Sequence, residues 1–245
     1  TERTKYIGGL ATGGLSNTDF ITYESVGGTW REFMDRVVEY YEETFGPNSQ
    51  QVKNCMDGGY YEPKVGLKIF KDMLAEHKDK IDISLQHRLV KVETRIKSNG
   101  YSQIEAIRVK DLQSSKIKKF TGKIFIDATY EGDLMAKAGC EYIVGSESQN
   151  KYNESIASEK ADWHVQCYNF RPTLTNDPDN RLSIPKPEEY NREVYAPLID
   201  LIEKGKFDDL SQIIADDRPL PNNKADFNDE KGSPISMHVC NSTDV

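Results

Sequence analysis

The run Lys123-Ile-Phe-Ile-Asp-Ala-Thr-Tyr-Glu-Gly-Asp133 joins two patterns. Ile124, Phe125 and Ile126 are consecutive branched or aromatic residues, which predicts a short buried strand over 123–127. Ala128-Thr129-Tyr130 supplies a turn. A helix is expected from Gly132 to Ala138, closed by Gly139. Strand, turn and helix in that order form the repeating unit of α/β folds. Cofactors collect at the carboxyl edge of such a sheet.

On the amino side of this unit the period is two. Ile81, Ile83 and Leu85 alternate, followed by Leu89, Val90 and Val92, then Ile104, Ile107 and Val109. Asn99-Gly100 between two of these runs is a hairpin signal. Residues 88–121 therefore read as a three-stranded meander. Further upstream the period becomes helical. Trp30, Phe33, Met34, Val37, Val38, Tyr41 and Phe45 line one face of a helix over 29–45, ended by Gly46-Pro47-Asn48. A second helix starts at Pro63, with Val65, Ile69, Phe70, Met73 and Leu74 as its buried stripe.

On the carboxyl side the composition shifts near 145, and Ser146–Ser158 is polar. The expected division is 1–145 and 146–245. A strand is expected within Val165–Leu174, with Tyr168, Phe170 and Pro172 on one face and Asn169 and Arg171 on the other. Asn176–Asn180 is a turn cluster, and a helix over 193–204 precedes Gly205.

Composition narrows the function. The chain has 245 residues and a net charge of −8, and nucleic acids and anionic membranes both require a positive field. No apolar run approaches the roughly 20 residues of a membrane-spanning helix. Cys55, Cys140, Cys167 and Cys240 are scattered without a CxxC, so they read as ordinary thiols and no metal site is expected. His77 and His87 read as solvated surface residues, and His164, beside Trp163, as a packing residue.

Ile7-Gly-Gly-Leu-Ala-Thr-Gly-Gly-Leu15 is the first place where chemistry is expected. Four glycines let backbone N–H groups converge on an anion and let a ligand approach closely. The pattern is not the dinucleotide fingerprint GxGxxG. Asp127 reads as a capping or strand-end residue, and Asp133 serves the first turn of its helix.

At this point several stretches resemble one family. Glu2-Arg3-Thr4 with the glycine loop is similar to the segment after the second strand in FAD-binding proteins of the glutathione reductase type. Tyr61-Glu-Pro63, Phe70-Lys-Asp-Met-Leu74, Phe125–Asp133, Tyr168-Asn-Phe-Arg171 and Ile184-Pro-Lys-Pro187 resemble FAD-dependent oxidoreductases related to the flavin subunit of heterodisulfide reductase. The resemblance implies an α/β fold: an FAD-binding Rossmann-like domain lacking its first βα unit, with the meander and a second, substrate-type region. It implies that Glu2, with Arg3 beside it, binds the adenosine ribose. Gly8, Gly9, Leu10, Thr12, Gly13 and Gly14 would lie along the pyrophosphate and flavin. Backbone near Val90 would meet the adenine, and Ala128, Thr129 and Gly132 would line the nucleotide crevice.

The expected function is an FAD-dependent oxidoreductase that transfers a hydride between a small-molecule substrate and flavin. Arg171 and Asn169 are the candidate substrate-binding or catalytic side chains, because a guanidinium fork holds anions well. The alternatives are a non-catalytic binding module on the same scaffold and a flavin electron-transfer subunit with an iron–sulfur redox partner protein. The family's first strand and fingerprint loop are expected before Glu2, so the chain reads as an internal piece of a longer protein. On its own it is expected to be inactive. A cytoplasmic location is favoured.

Overall fold

The helical periodicity is realised almost residue for residue. Helix α2 spans Gly28–Phe45 and α4 spans Pro63–Ala75. A four-residue turn of helix, α1 (Leu10–Gly13), precedes them, and α3 (Gln50–Asn54) lies between. Ser49 caps α3 by accepting the Val52 N–H at 3.3 Å. Phe33, Met34, Val37 and Tyr41 of α2 pack with Val65 and Ile69 of α4, and Cys55 and Tyr61 fill the space between. Phe33 is the hub of an aromatic cluster, with ring centroids 4.9 Å from Trp30 and 5.1 Å from both Tyr61 and Phe70. Gly58 lets the loop cross α2 closely, since a Cβ there would sit 2.1 Å from the Met34 carbonyl oxygen.

The computed structural model describes residues 1–19, 22–163, 165, 168–169, 171–208, 214–215, 219–226, 228–229 and 238–239. His164, Cys167, Phe170 and Cys240 lie outside the described residues. The chain forms two units. One comprises Thr1–Tyr6, Asp82–Tyr168 and Val239–Val245, the other Ile7–Ile81 and Asn169–His238. They interleave along the sequence, and the composition shift near 145 falls inside the first.

In the first unit, β1 (His87–Ile96), β2 (Ser102–Asp111) and β3 (Ile117–Thr121) form an antiparallel meander in the order β1-β2-β3. Val92, Ala106 and Val109 are buried on it. Helix α5 (Asp133–Lys137) packs on β1 and buries Leu134. Residues 2–4 run beside 84–87, through Glu2 N–H to Ser84 O and His87 N–H to Glu2 O, both 2.8 Å.

In the second unit, β4 (Thr173–Thr175), β5 (Pro219–Leu220) and β6 (Lys224–Asp226) form an antiparallel sheet with β6 central. The helix expected at 193–204 is a 3₁₀ turn, Arg192–Tyr195, followed by α6 (Ala196–Glu203).

Two expectations need correction. Residues 123–127 are not a buried strand: the segment has no ladder partner among the described residues, and Ile124 and Ile126 are 79% and 83% exposed. A strand requires a neighbour to take its N–H and C=O groups, and an apolar run shows only that burial would be favourable. His87 is not solvated but buried at 7% exposure. Its Nδ1 lies 2.5 Å from Leu85 O and its Nε2 2.9 Å from Lys118 Nζ, so both ring nitrogens have polar partners. No helix among the described residues is long and apolar enough to cross a membrane.

Candidate cofactor site

The glycine loop lies in the second unit and is held through its carbonyl groups. Tyr61 donates its hydroxyl to Ala11 O at 2.9 Å. The Tyr61 ring reaches that position because Gly66 of α4 has no side chain; a Cβ there would lie 2.8 Å from it. Burial raises the Tyr61 pKa, so the phenol remains a donor. The Tyr61 N–H donates to Ser16 O at 2.9 Å, and Arg171 Nη2 donates to Leu15 O at 3.4 Å. The Thr12 hydroxyl donates to Ile7 O, so Thr12 is turned inward and only 8% exposed.

The other side of the loop is open. The N–H groups of Gly8 and Gly9 have no partner among the described residues. Leu10 is 46% exposed. A Cβ on Gly13 would meet nothing within 4 Å. Ser16 Oγ and Asn17 Nδ2, just beyond the loop, are buried without a hydrogen-bond partner among the described residues.

The first unit holds the remaining nucleotide-binding candidates. Glu2 Oε1 accepts the Thr4 N–H at 2.7 Å, and its second oxygen has no hydrogen bond among the described residues. Arg3 is exposed. Val90 has no partner across the ladder, because the register steps from Leu89–Val109 to Lys91–Arg108. It is the extra residue of a β-bulge. Ala128 and Thr129 are exposed, and Gly132 takes φ 70° at the start of α5.

The Asp127 carboxylate organises this turn. It accepts the N–H groups of Met135 at 2.8 Å and Thr129 at 3.0 Å, and the Thr129 hydroxyl at 2.7 Å. Desolvation raises its pKa, but these bonds outweigh that effect and hold it below its ordinary value. The Thr129 hydroxyl in turn accepts the Asp133 N–H at 3.1 Å. The capping role expected of Asp127 is what these bonds perform.

Of the two substrate-side candidates, Asn169 lies in a two-residue strand, Tyr168–Asn169. Arg171 is committed within the protein. Its Nε donates to Asp226 Oδ1 at 3.2 Å and its Nη2 to Asp226 Oδ2. Asp226 was missed in the sequence, as was the buried Glu62, which Lys224 and Asn222 hold. A signal existed in Lys224-Ala-Asp226, where alternation puts both charges on one strand face.

No curated protein and no solved structure matches the chain. A family model described as FAD dependent oxidoreductase matches residues 1–244, so the chain belongs to the family of FAD-dependent oxidoreductases, whose cofactor is FAD.

Proposed function

We propose that the protein transfers a hydride between a small-molecule substrate and flavin, with the glycine loop holding the FAD pyrophosphate. One observation carries this reading. The loop's carbonyls are tied to Tyr61 and Arg171, while the amides of Gly8 and Gly9 and the bare face of Gly13 stay open. Two adjacent N–H groups left open on one side of the loop suit an anion, which accepts from both. The orphaned Ser16 hydroxyl and Asn17 amide beside it fit the same conclusion.

FAD, when bound, supplies the redox chemistry. The chain's own residues bind and orient it. The Gly8 and Gly9 amides would hold the pyrophosphate. Glu2, with Arg3 beside it, would hold the ribose through its second carboxylate oxygen. Leu10, on the exposed side of the loop, excludes water. Thr12 fixes the loop's turn through Ile7. The bulge at Val90 brings backbone out of register with its neighbour strand, which suits a contact with adenine. Ala128, Thr129 and Gly132, on the turn that Asp127 caps, would contact the nucleotide. Asn169 is assigned to the substrate side.

The test is made on the full-length protein. Visible flavin absorbance on purification and a saturable FAD titration are expected. Glu2→Ala should raise the FAD dissociation constant about tenfold, or about 1.4 kcal/mol. Unchanged affinity removes the ribose role. A colourless protein that takes up no FAD overturns the oxidoreductase reading in favour of a non-catalytic binding module.

A further inference from the structure

The end of the glycine loop is strained. Gly14 takes φ 135° and Ser16 φ 56°, and a residue such as serine occupies that region only where its surroundings hold it there. The Ser16 hydroxyl is also buried without a partner among the described residues. Something outside the loop must keep residues 14–16 in this conformation.

Arg171 does so from far downstream in the sequence. Its Nη2 donates to Leu15 O at 3.4 Å. Its own carbonyl oxygen lies so near Gly14 that a Cβ there would be 2.2 Å away. The guanidinium is aimed by Asp226, which receives both Nε and Nη2 as a two-pronged pair. The side chains of Arg171 and Asp226 are 10% and 2% exposed, so solvent cannot compete for either. Asp226 is itself fixed by the sheet, where it stands opposite Thr173 in the β4–β6 ladder. The order of control runs from sheet to Asp226, from Asp226 to Arg171, and from Arg171 to the loop.

We propose that Arg171 and Asp226 are positioning residues that clamp residues 14–16 in the strained conformation which presents the glycine loop to the cofactor. The proposal rests on reading that loop as the FAD loop. Two of the three guanidinium nitrogens are spent on Asp226 and Leu15, so the fork expected to hold substrate instead holds the loop.

The test uses the full-length protein with and without FAD, and reads amide hydrogen exchange across 8–17 together with FAD affinity. Arg171→Lys keeps the charge and loses the fork. It should speed exchange at residues 14–17 at least tenfold and weaken FAD binding at least tenfold. Arg171→Met combined with Asp226→Leu removes both charges together, so no buried charge is left unpaired. That double variant should melt near the wild-type temperature yet keep fast exchange at 14–17 and weak FAD binding. Wild-type exchange at 14–17 in the double variant overturns the clamp. So does Arg171→Lys with unchanged exchange and unchanged FAD affinity. If the wild type takes no FAD while the variants still loosen 14–17, the clamp stands and the cofactor reading falls.

Discussion

Gly13 and Gly14 stand side by side and are glycine for different reasons. Gly14 serves the fold: its φ of 135° excludes most side chains, and a Cβ would strike the Arg171 carbonyl. Gly8 is similar, with φ 91° and a Cβ position 2.4 Å from Thr12 Cγ2. Gly13 ends α1, and its empty Cβ position touches nothing. On the proposed reading, that bare position leaves room for the cofactor. Gly13→Leu should therefore leave thermal unfolding unchanged and weaken FAD binding about tenfold, a loss of about 1.4 kcal/mol. Gly14→Ala should instead cost about 1–3 kcal/mol of stability, read from denaturant unfolding. If both variants behaved alike, the two roles would be the same. The glycine cluster was plain in the sequence, but which glycine position is crowded and which is open depends on Thr12 and Arg171.

At the scale of elements, the helices owe their positions to aromatic packing. Phe33 is 1% exposed and contacts rings from Trp30, Tyr61 and Phe70. Phe33→Ala should cost about 3–5 kcal/mol in chemical denaturation, because the cavity is walled by rigid rings and helices. A loss below 1 kcal/mol would mean that the cluster collapses to fill it. The meander is pinned differently. Glu93 of β1 receives Lys119 of β3 at 2.6 Å and Arg108 of β2, which ties the three strands on their exposed face. Those two bonds hold the Glu93 pKa down to about 2. Both helices and all three strands were legible because each carries its own periodicity. Residues 123–127 carried an equally clear apolar run, yet the run holds no information about what pairs with it.

At the scale of the whole chain, distant segments meet in a buried polar knot. Glu62 is 1% exposed. It accepts from Asn222 Nδ2 at 2.8 Å and from Tyr41 Oη at 3.3 Å, and it pairs with Lys224. Desolvation raises the Glu62 pKa, but Lys224 and Asn222 more than offset this and leave it below its ordinary 4.5. A carboxylate whose pKa is depressed by folding contributes stability that is fully present above the unfolded value. That contribution is lost as pH falls through the folded value. Stability should therefore drop on acidification below about pH 4.5, the unfolded value. Glu62→Gln should cost about 3–5 kcal/mol at neutral pH, because Lys224 is left without its counter-charge. It should also flatten the acid limb of a stability–pH curve. An unchanged acid limb would show that other carboxylates control it.

The amino-acid sequence alone determined the helices, the meander, the glycine loop and the family, because these rest on local periodicity and on motifs of consecutive residues. The tertiary structure decided where charges find partners: Arg171 on Asp226 and Glu62 on Lys224. The reason is physical. Backbone geometry and apolar periodicity are encoded within a few residues, whereas a buried ion pair joins positions far apart in the chain and exists only once folding brings them within bonding distance.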